Sequence, residues 1–134
     1  MPSLDTRSRI MPGYTPDLFA GLDVPDVAAA RVSENNPRCF AQDSCHWERH
    51  DLDGDTWWEI GIGRDAAGYH WTAGFRHNTG GRSGPVFILQ NPAETFSEAR
   101  HRAIVVLLRA LSASYSDCDK GARDRLRKSV LAQG

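Results

Sequence analysis

The strongest constraint on the fold lies between Trp57 and Phe75, where apolar and polar residues alternate in two separate runs. In the first run the apolar residues that recur at every second position are Trp58, Ile60 and Ile62. In the second run they are Tyr69, Trp71, Ala73 and Phe75. This period of two is that of a half-buried β-strand, and the intervening Ala66-Ala67-Gly68 has the composition of a turn. The pattern predicts two antiparallel strands joined by a short turn.

Within the first run, Gly61-Ile62-Gly63-Arg64-Asp65-Ala66 matches the glycine spacing of a dinucleotide-binding loop. Such a loop needs a helix directly after its glycines, because the pyrophosphate binds at the helix N-terminus. Here a turn and a second strand follow, so we expect no bound cofactor. Glycines inside strands indicate instead that another group approaches the backbone closely. We therefore expect a helix or an aromatic ring to lie across Gly61, Gly63 and Gly74.

The 134 residues are expected to form one domain with a single core. We predict an irregular lead-in over residues 1–13 and short helices over 14–36, the first opening at Thr15 and the second running from Asp23 to Val32. An antiparallel sheet is predicted over 38–90. It includes a strand from His46 before the Asp53-Gly54 turn, a flexible loop over 78–85, and a last strand at Val86–Leu89.

Helices are predicted over residues 94–131. Thr95-Phe96-Ser97-Glu98 has the capping-box pattern, and it opens a long helix that extends to about Tyr115. A last helix is predicted to start near Asp117. The expected fold is α+β: a three- to four-stranded antiparallel sheet with a long C-terminal helix packed on one face and short flanking helices. The expected core residues are Trp58, Ile60, Ile62, Trp71, Phe75, Ile88, Ala103, Val106, Leu107 and Leu111.

Composition excludes several classes of protein. The formal net charge is −1 and charged residues make up 25% of the chain, so there is no general positive field to attract nucleic acid. No apolar run approaches the roughly 20 residues that cross a bilayer. Three cysteines, an odd number, are expected to be reduced thiols. We therefore expect a cytoplasmic protein that does not enter a membrane, while the oligomeric state stays open.

Neither a metal site nor a catalytic site is predicted. Cys39, Cys45, His46 and His50 lack the spacing of zinc ligands, and adjacent strand residues point to opposite faces. The acidic residues around Gly54 lack the closing glutamate of a calcium loop. The five histidines are scattered, and no serine lies in a nucleophile-elbow context. His70, Arg76 and Glu59 are expected to share one polar strand surface, but not to form a triad.

Local groups of basic residues are the candidates for partner binding. Around the predicted loop, the residues that offer donors to a phosphate or carboxylate are Arg76, His77 and Arg82. On the helices the corresponding residues are Arg100, Arg102, Arg123, Arg125 and Arg127. Two interpretations stay open for the helical group: a solvated charged face or contacts to nucleic-acid phosphates. An exposed strand aromatic such as Trp57 or Tyr69 would favour nucleic acid, because bases stack on aromatic rings.

The stretch from Trp57 to Leu111 resembles small phage-encoded "ABA sandwich" domain proteins. The segments that carry the resemblance are Trp58-Glu59-Ile60, Gly68-Tyr69, Glu98–Ile104 and Leu108–Leu111. It implies an origin in a phage or mobile element and assigns no catalytic residues. The order of three strands and a helix is also similar to that of double-stranded-RNA-binding domains. Those domains carry a pair of lysines at the start of the helix, and Arg100 and Arg102 would partly replace that pair in this chain.

The sequence therefore predicts a non-enzymatic, macromolecule-binding module with no cofactor. The resemblance implies a phage or mobile-element accessory protein that binds a host protein or a protein–nucleic-acid complex, such as an anti-CRISPR or anti-restriction inhibitor. One alternative is a regulator that contacts nucleic acid directly through its basic C-terminal helices. A second alternative is a small hydrolase-like enzyme.

Overall fold

A computed structural model describes residues 27–112 and 117–134 of the chain. A short 3₁₀ turn at Gln42–Ser44 precedes four strands and two helices. The strands and helices are β1 (His46–Asp53), β2 (Thr56–Asp65), β3 (Gly68–His77), β4 (Gly80–Arg82), α1 (Phe96–Ser112) and α2 (Asp117–Gln133). The predicted lead-in over 1–13 and the predicted helix from Thr15 lie outside the described residues.

The four strands form one antiparallel sheet in the order β1-β2-β3-β4. The long β2–β3 hairpin pairs Trp58 with Phe75 and Ile62 with Trp71, so these side chains share one face. Its turn ends at Gly68, whose φ of 144° lies in a region that L-residues avoid. The predicted hairpin and the α+β fold, with helices packed against an antiparallel sheet, are confirmed.

The start of α1 follows the predicted capping box, with one difference. The backbone amide of Glu98 donates to Thr95 Oγ1 at 3.0 Å. The Glu98 carboxylate accepts from the amide of Glu94 at 3.0 Å, one residue before the cap. Both bonds satisfy amides that a helix N-terminus leaves without intrahelical partners. Neither α1, α2 nor any other helix among the described residues is long and apolar enough to span a membrane.

The core lies between the sheet and the two helices. The buried side chains from both layers are Trp58, Ile60, Ile62, Phe75, Phe96, Ala99, Ala103, Ile104, Leu107, Leu111, Leu126 and Val130. Full burial of one large apolar side chain contributes about 1.5–3 kcal/mol. Most of the predicted core is confirmed. Trp71 and Val106 are only half-buried, and Ile88 is wrong because it is 39% exposed.

The predicted helix through Val27–Val32 is wrong. This segment is extended, and the amide of Ala30 donates to the carbonyl of Arg64 at 2.7 Å. Ala29 forms a parallel bridge with the same residue. Alanines favour helix by local propensity, but the end of β2 offers this segment backbone partners, and the tertiary contact prevails.

The predicted last strand at Val86–Leu89 is also wrong. Gly80–Arg82, predicted as loop, forms β4, whereas Val86–Leu89 forms only an isolated bridge between Phe87 and Cys39. Val86 is 1% exposed and Phe87 is 45% exposed. The apolar run is therefore buried at Val86, whose carbonyl accepts from the amide of Phe40 at 2.9 Å, and it does not join the sheet as a strand.

Candidate partner-binding face

The face of the sheet turned away from the helices, called the outer face below, carries the candidate site. Trp57 and Glu59 of β2 lie on it, because they alternate with the core residues Trp58 and Ile60. Arg76 of β3 is paired directly with Trp57 and lies on the same face. The structure thus confirms the predicted alternation and places His70, Arg76 and Glu59 on one face.

One end of the outer face, the closed end, is defined by Phe40, Gly63 and His70. A Cβ atom at Gly63 would lie 3.0 Å from the Phe40 ring and 3.1 Å from the sulfur of Cys45. Further along β2, a Cβ atom at Gly61 would lie only 2.5 Å from the ring of Trp47. Aromatic rings lie across both glycines, as predicted, but the prediction is wrong for Gly74, which the backbone of Arg82 and Ser83 covers. Since Gly61 and Gly63 lie inside β2 under rings, they are not arranged as a phosphate loop.

His70 is fully buried at the closed end, and both of its ring nitrogens are hydrogen-bonded. The amide of Leu89 donates to Nδ1 at 2.8 Å, so Nδ1 carries no proton. Nε2 is then the protonated nitrogen and donates to the Asp65 carboxylate at 2.8 Å. A general base needs a free lone pair directed at its substrate. His70 has none, so its role is to tie the segment at Leu89 to the sheet.

The other end of the outer face, the open end, is defined by Trp57, Glu59 and Arg76. It adjoins a cleft of about 360 Å³ at the β3–β4 hairpin. The residues that line the cleft are Trp57, Phe75, Arg76, His77, Asn78, Gly80, Gly81, Arg82 and Ser83. Arg76 and Arg82 are exposed, and neither forms an ion pair with any residue in the described ranges 27–112 and 117–134.

Glu59 is a largely desolvated carboxylate next to this cleft. Its side chain is only 15% exposed, and burial raises its pKa, an effect that Arg49 partly opposes. The nearest charge contact is Arg49 Nη1, 4.0 Å from Glu59 Oε1. The Arg49 guanidinium lies 4.1 Å from the centroid of the Trp57 ring and also pairs with Asp51 at 3.2 Å. Arg49 is thus shared among three groups, which leaves Glu59 weakly neutralised.

Arg100, a predicted binding residue, is paired within the chain. Its Nε and Nη2 donate to the two carboxylate oxygens of Glu48 at 2.7 and 2.8 Å, and Nη2 also reaches the carbonyl of Gln133 at 3.1 Å. This bidentate pair lowers the pKa of Glu48 to about 2, helped by a hydrogen bond from His50 and opposed by burial. Arg100 therefore joins β1, α1 and the end of α2.

The four other helical arginines of the predicted set also contact the protein itself. Arg102 pairs with Glu98 at 2.7 Å, and Arg127 pairs with Asp124 at 2.6 Å. Arg125 pairs with Asp53 of β1 at 2.8 Å. Arg123 is buried and donates to the carbonyl of Ala110 at 2.9 Å. The contacts of Arg102 and Arg127 lie within α1 and α2, whereas Arg125 joins α2 to the sheet and Arg123 joins α2 to α1.

The third residue predicted near the hairpin, His77, is buried inside it. The hydroxyl of Thr79 lies 3.0 Å from His77 Nδ1, and the Phe75 ring stacks on the imidazole with centroids 6.0 Å apart. His77 therefore shapes the β3–β4 turn from inside. Of the eight predicted residues, only Arg76 and Arg82 combine exposure with the absence of an ion pair in the described part of the chain.

A second imidazole–carboxylate pair lies on the helix-facing side of β1. His50 Nε2 is 2.7 Å from Glu48 Oε2, and the ring stacks on Trp58 with centroids 4.2 Å apart. No hydroxyl or thiol of the described residues hydrogen-bonds to His50, so the arrangement lacks a nucleophile. Across 27–112 and 117–134, no group of three His, Cys, Asp or Glu side chains is placed to hold a metal ion.

Comparison with protein-family models, curated proteins and solved structures finds no match for this chain.

Proposed function

We propose that this domain is a non-catalytic module that binds another protein through the Arg–Trp patch, defined as Trp57, Arg76 and Arg82. The observation that carries the proposal is a difference in pairing. The five helical arginines of the predicted set, unlike the exposed Arg109, are bound to carboxylates or carbonyls of the chain itself. Arg76 and Arg82 are exposed, and both line one cleft with the half-buried Trp57.

The composition of the patch suits a protein interface. Tryptophan and arginine dominate the residues that contribute most to protein–protein binding, since both provide large contact areas and directional donors. Glu59 beside the patch supports the same interpretation. Its side chain is 15% exposed and its cationic contact, Arg49, is 4.0 Å away, so the ionised carboxylate is only partly compensated for its lost hydration. Residues that lower the stability of the folded state are frequent in functional surfaces.

The charges around the patch favour a protein over a nucleic acid. Asp51 is paired in register with Trp57, and Glu59 follows two residues later on the same face, so the outer face carries both signs. A phosphate backbone presents negative charge at every nucleotide and would be repelled by these two carboxylates. A protein surface can place opposite charges against both signs. The ion pairs of the C-terminal helices also leave fewer cations for the nucleic-acid alternative.

The resemblance to phage-encoded domains suggests the kind of partner. In this proposal the domain is an accessory protein of a phage or mobile element, and the Arg–Trp patch occupies the surface of a host protein complex, as an anti-CRISPR or anti-restriction inhibitor does. Binding alone would account for such an inhibitor, so no reaction chemistry is needed in the domain.

Charge reversal with a matched control tests this proposal. Arg76→Glu/Arg82→Glu is compared with Arg109→Glu/Lys128→Glu, which changes the net charge equally at exposed helix positions. Each tagged protein is incubated with host lysate, and captured proteins are quantified by mass spectrometry. We expect a partner that the wild type and the control retain and the patch variant loses. Equal capture by all three proteins would contradict the proposal, as would capture of nucleic acid alone.

A further inference from the structure

We propose that the free edge of β1 pairs with β1 of a second copy of this chain, which joins the two sheets into one around a two-fold axis at His50. This inference goes beyond the proposed function and does not rest on it, because the Arg–Trp patch lies on β2, β3 and β4. It assigns a self-association surface to the first strand of the sheet.

The outer edge of β1 has no backbone partner among the described residues. β1 is the first strand in the sheet order and pairs with β2, and no backbone hydrogen bond joins it to another segment of 27–112 or 117–134. The strand also contains neither the proline nor the lysine that often blocks pairing at an edge. A strand edge of this kind binds another strand by extending its ladder of hydrogen bonds.

The outward backbone groups belong to alternate residues of β1. The carbonyl of Arg64 accepts from the amide of Ala30 at 2.7 Å, so the backbone of Arg64 points away from β3. Because this direction alternates along a strand, Ile60 points the same way, towards its partner Glu48 of β1. Glu48 is therefore bonded to β2, and its neighbours direct their N–H and C=O groups outward. The outward residues are Trp47, Arg49 and Asp51.

The outward part of β1 is its own charge complement. In an antiparallel pair with the axis at His50, Arg49 lies opposite the partner's Asp51, and Asp51 lies opposite the partner's Arg49. Both are hydrogen-bonded pairs, since these residues direct their backbone outward. Arg49 and Asp51 also form an ion pair along β1 at 3.2 Å. The guanidinium and carboxylate groups of both copies would thus alternate in one cluster, and surface ion pairs contribute most in such networks.

The neighbouring two-fold registers place like charges opposite each other. With the axis at Glu48, Arg49 or Asp51, that residue would face its own copy, and like charges directly opposite destabilise a strand pair. With the axis at His50, the two imidazoles face each other instead. Each imidazole is 2.7 Å from its own Glu48 and stacks on its own Trp58. The register centred on His50 is therefore the favoured one.

The contact is short, and the helices leave it open. The irregular register between Asp51 and Asp53 ends the regular part of β1, which restricts pairing to a few residues around His50. Both helices pack mainly on β2 and β3, away from this edge. A contact that buries little surface predicts a weak dimer.

A charge swap tests both the dimer and its register, with the full chain studied by sedimentation equilibrium. We expect the wild type to dimerise between about 10 µM and 1 mM. Arg49→Asp and Asp51→Arg each place like charges opposite and should each weaken dimerisation about tenfold. The double variant Arg49→Asp/Asp51→Arg restores opposite charges in the same register, so its dissociation constant should lie within about twofold of that of the wild type. Far-UV circular dichroism checks that each variant is folded.

A matched control and hydrogen exchange locate the contact. Arg38→Asp makes the same charge change as Arg49→Asp at an exposed position outside β1 and should leave dimerisation unchanged. In the wild type, the amides of Trp47, Arg49 and Asp51 should become protected from exchange as the protein concentration rises.

Several results would overturn the inference. A chain that stays monomeric over the whole range would leave the edge to a strand of another protein. Protection of these amides at every concentration would show that the edge is covered within a single chain. A double variant that dimerises as weakly as the single variants would show that the register is wrong.

The dimer and the proposed function can fail separately. Arg76→Glu/Arg82→Glu changes β3 and β4, so it should dimerise like the wild type. A wild type that dimerises without capturing a host protein would overturn the proposed function alone. Capture of a host protein by a chain that remains monomeric would overturn this inference alone.

Discussion

Similar side chains are neutralised to different extents on the two faces of the sheet, as the glutamates Glu48 and Glu59 show. Glu48 of β1 lies on the helix side, where Arg100 holds both of its oxygens and lowers its pKa to about 2. Glu59 of β2 lies on the outer face, where burial raises its pKa and the nearest cation is 4.0 Å away. The Glu48 carboxylate is fully paired inside the fold, whereas the hydration that the Glu59 carboxylate loses on burial is only partly replaced by an ion pair.

This difference separates residues that stabilise the domain from residues available to a partner. A buried or half-buried charge is favourable only when partners replace its lost hydration. On the helix side those partners are present, so substitution should mainly lower stability. At the open end of the outer face they are incomplete, so substitution should mainly affect binding. Substitutions at the adjacent tryptophans, at Glu48 and at Glu59 test this distinction, ordered by the largest effect that each test produces on the free energy of unfolding.

The largest effect is expected from the adjacent tryptophans. Trp58 is 0% exposed, and its Nε1 donates to Ser129 at 2.9 Å. Trp58→Ala should lower the free energy of unfolding by about 3–5 kcal/mol, because it leaves a cavity between β2 and the helices. Trp57→Ala should lower it by only about 1 kcal/mol, the approximate value of its stacking with Arg49. Urea denaturation followed by far-UV circular dichroism measures both.

Trp57→Ala should nevertheless weaken partner capture, while its folded spectrum remains. Comparable losses of stability in the two alanine variants would show that both faces are structural. The distinction drawn from the glutamates would then be wrong.

An intermediate effect is expected at Glu48. Its folded pKa, about 2, lies below the ordinary value of 4.5, so its contribution is complete above pH 4.5 and is lost as the pH falls towards 2. Because water partly screens the pair, we expect Glu48→Gln to cost about 1–2 kcal/mol at neutral pH. The variant should also show a shallower loss of stability between pH 4.5 and 2, measured by thermal unfolding. Glu34→Gln, at an exposed position, is the control and should leave the pH profile unchanged.

The smallest effect, of opposite sign, is expected at Glu59. Its raised pKa means that the folded state binds the proton more tightly than the unfolded state, so the stability contribution present at low pH is lost as the pH rises through the folded pKa. Glu59→Gln should therefore stabilise the domain at pH 7, by about 0.5 kcal/mol. The gain should disappear at acidic pH. A loss of stability at pH 7 would show that the ionised carboxylate has an effective partner after all.

Local patterns in the sequence were sufficient to predict the strands and helices that bury one regular face. The alternation around Trp58 and Ile60 predicted β2, and Thr95 with Glu98 predicted the start of α1. The errors arose where tertiary contacts outweigh local preference. The segment at Ala30 is extended because it bonds to Arg64, and Gly80-Gly81 forms a strand although its composition is typical of a loop.

The candidate site was harder to predict from the sequence, because the exposure and ion pairing of a residue depend on contacts with residues that are distant in the chain. Arg76 and Arg82 were predicted together because they flank one loop. That Arg100 is paired could not be predicted, because its partner Glu48 is 52 positions away, and Arg125 and Asp53 are 72 positions apart. The role of Glu59 also went unpredicted: the alternation placed it on the outer face, but nothing local reveals that its carboxylate is desolvated.

The arrangement at His70 has a spectroscopic consequence. The Nε2 proton of the buried His70 is hydrogen-bonded to Asp65, so it should exchange with bulk water more slowly than the ring proton of an exposed histidine. It should give a separate downfield signal in one-dimensional proton spectra of the native domain. Loss of that signal in a variant or in a complex would show that the hydrogen bonds of His70 at the closed end have opened.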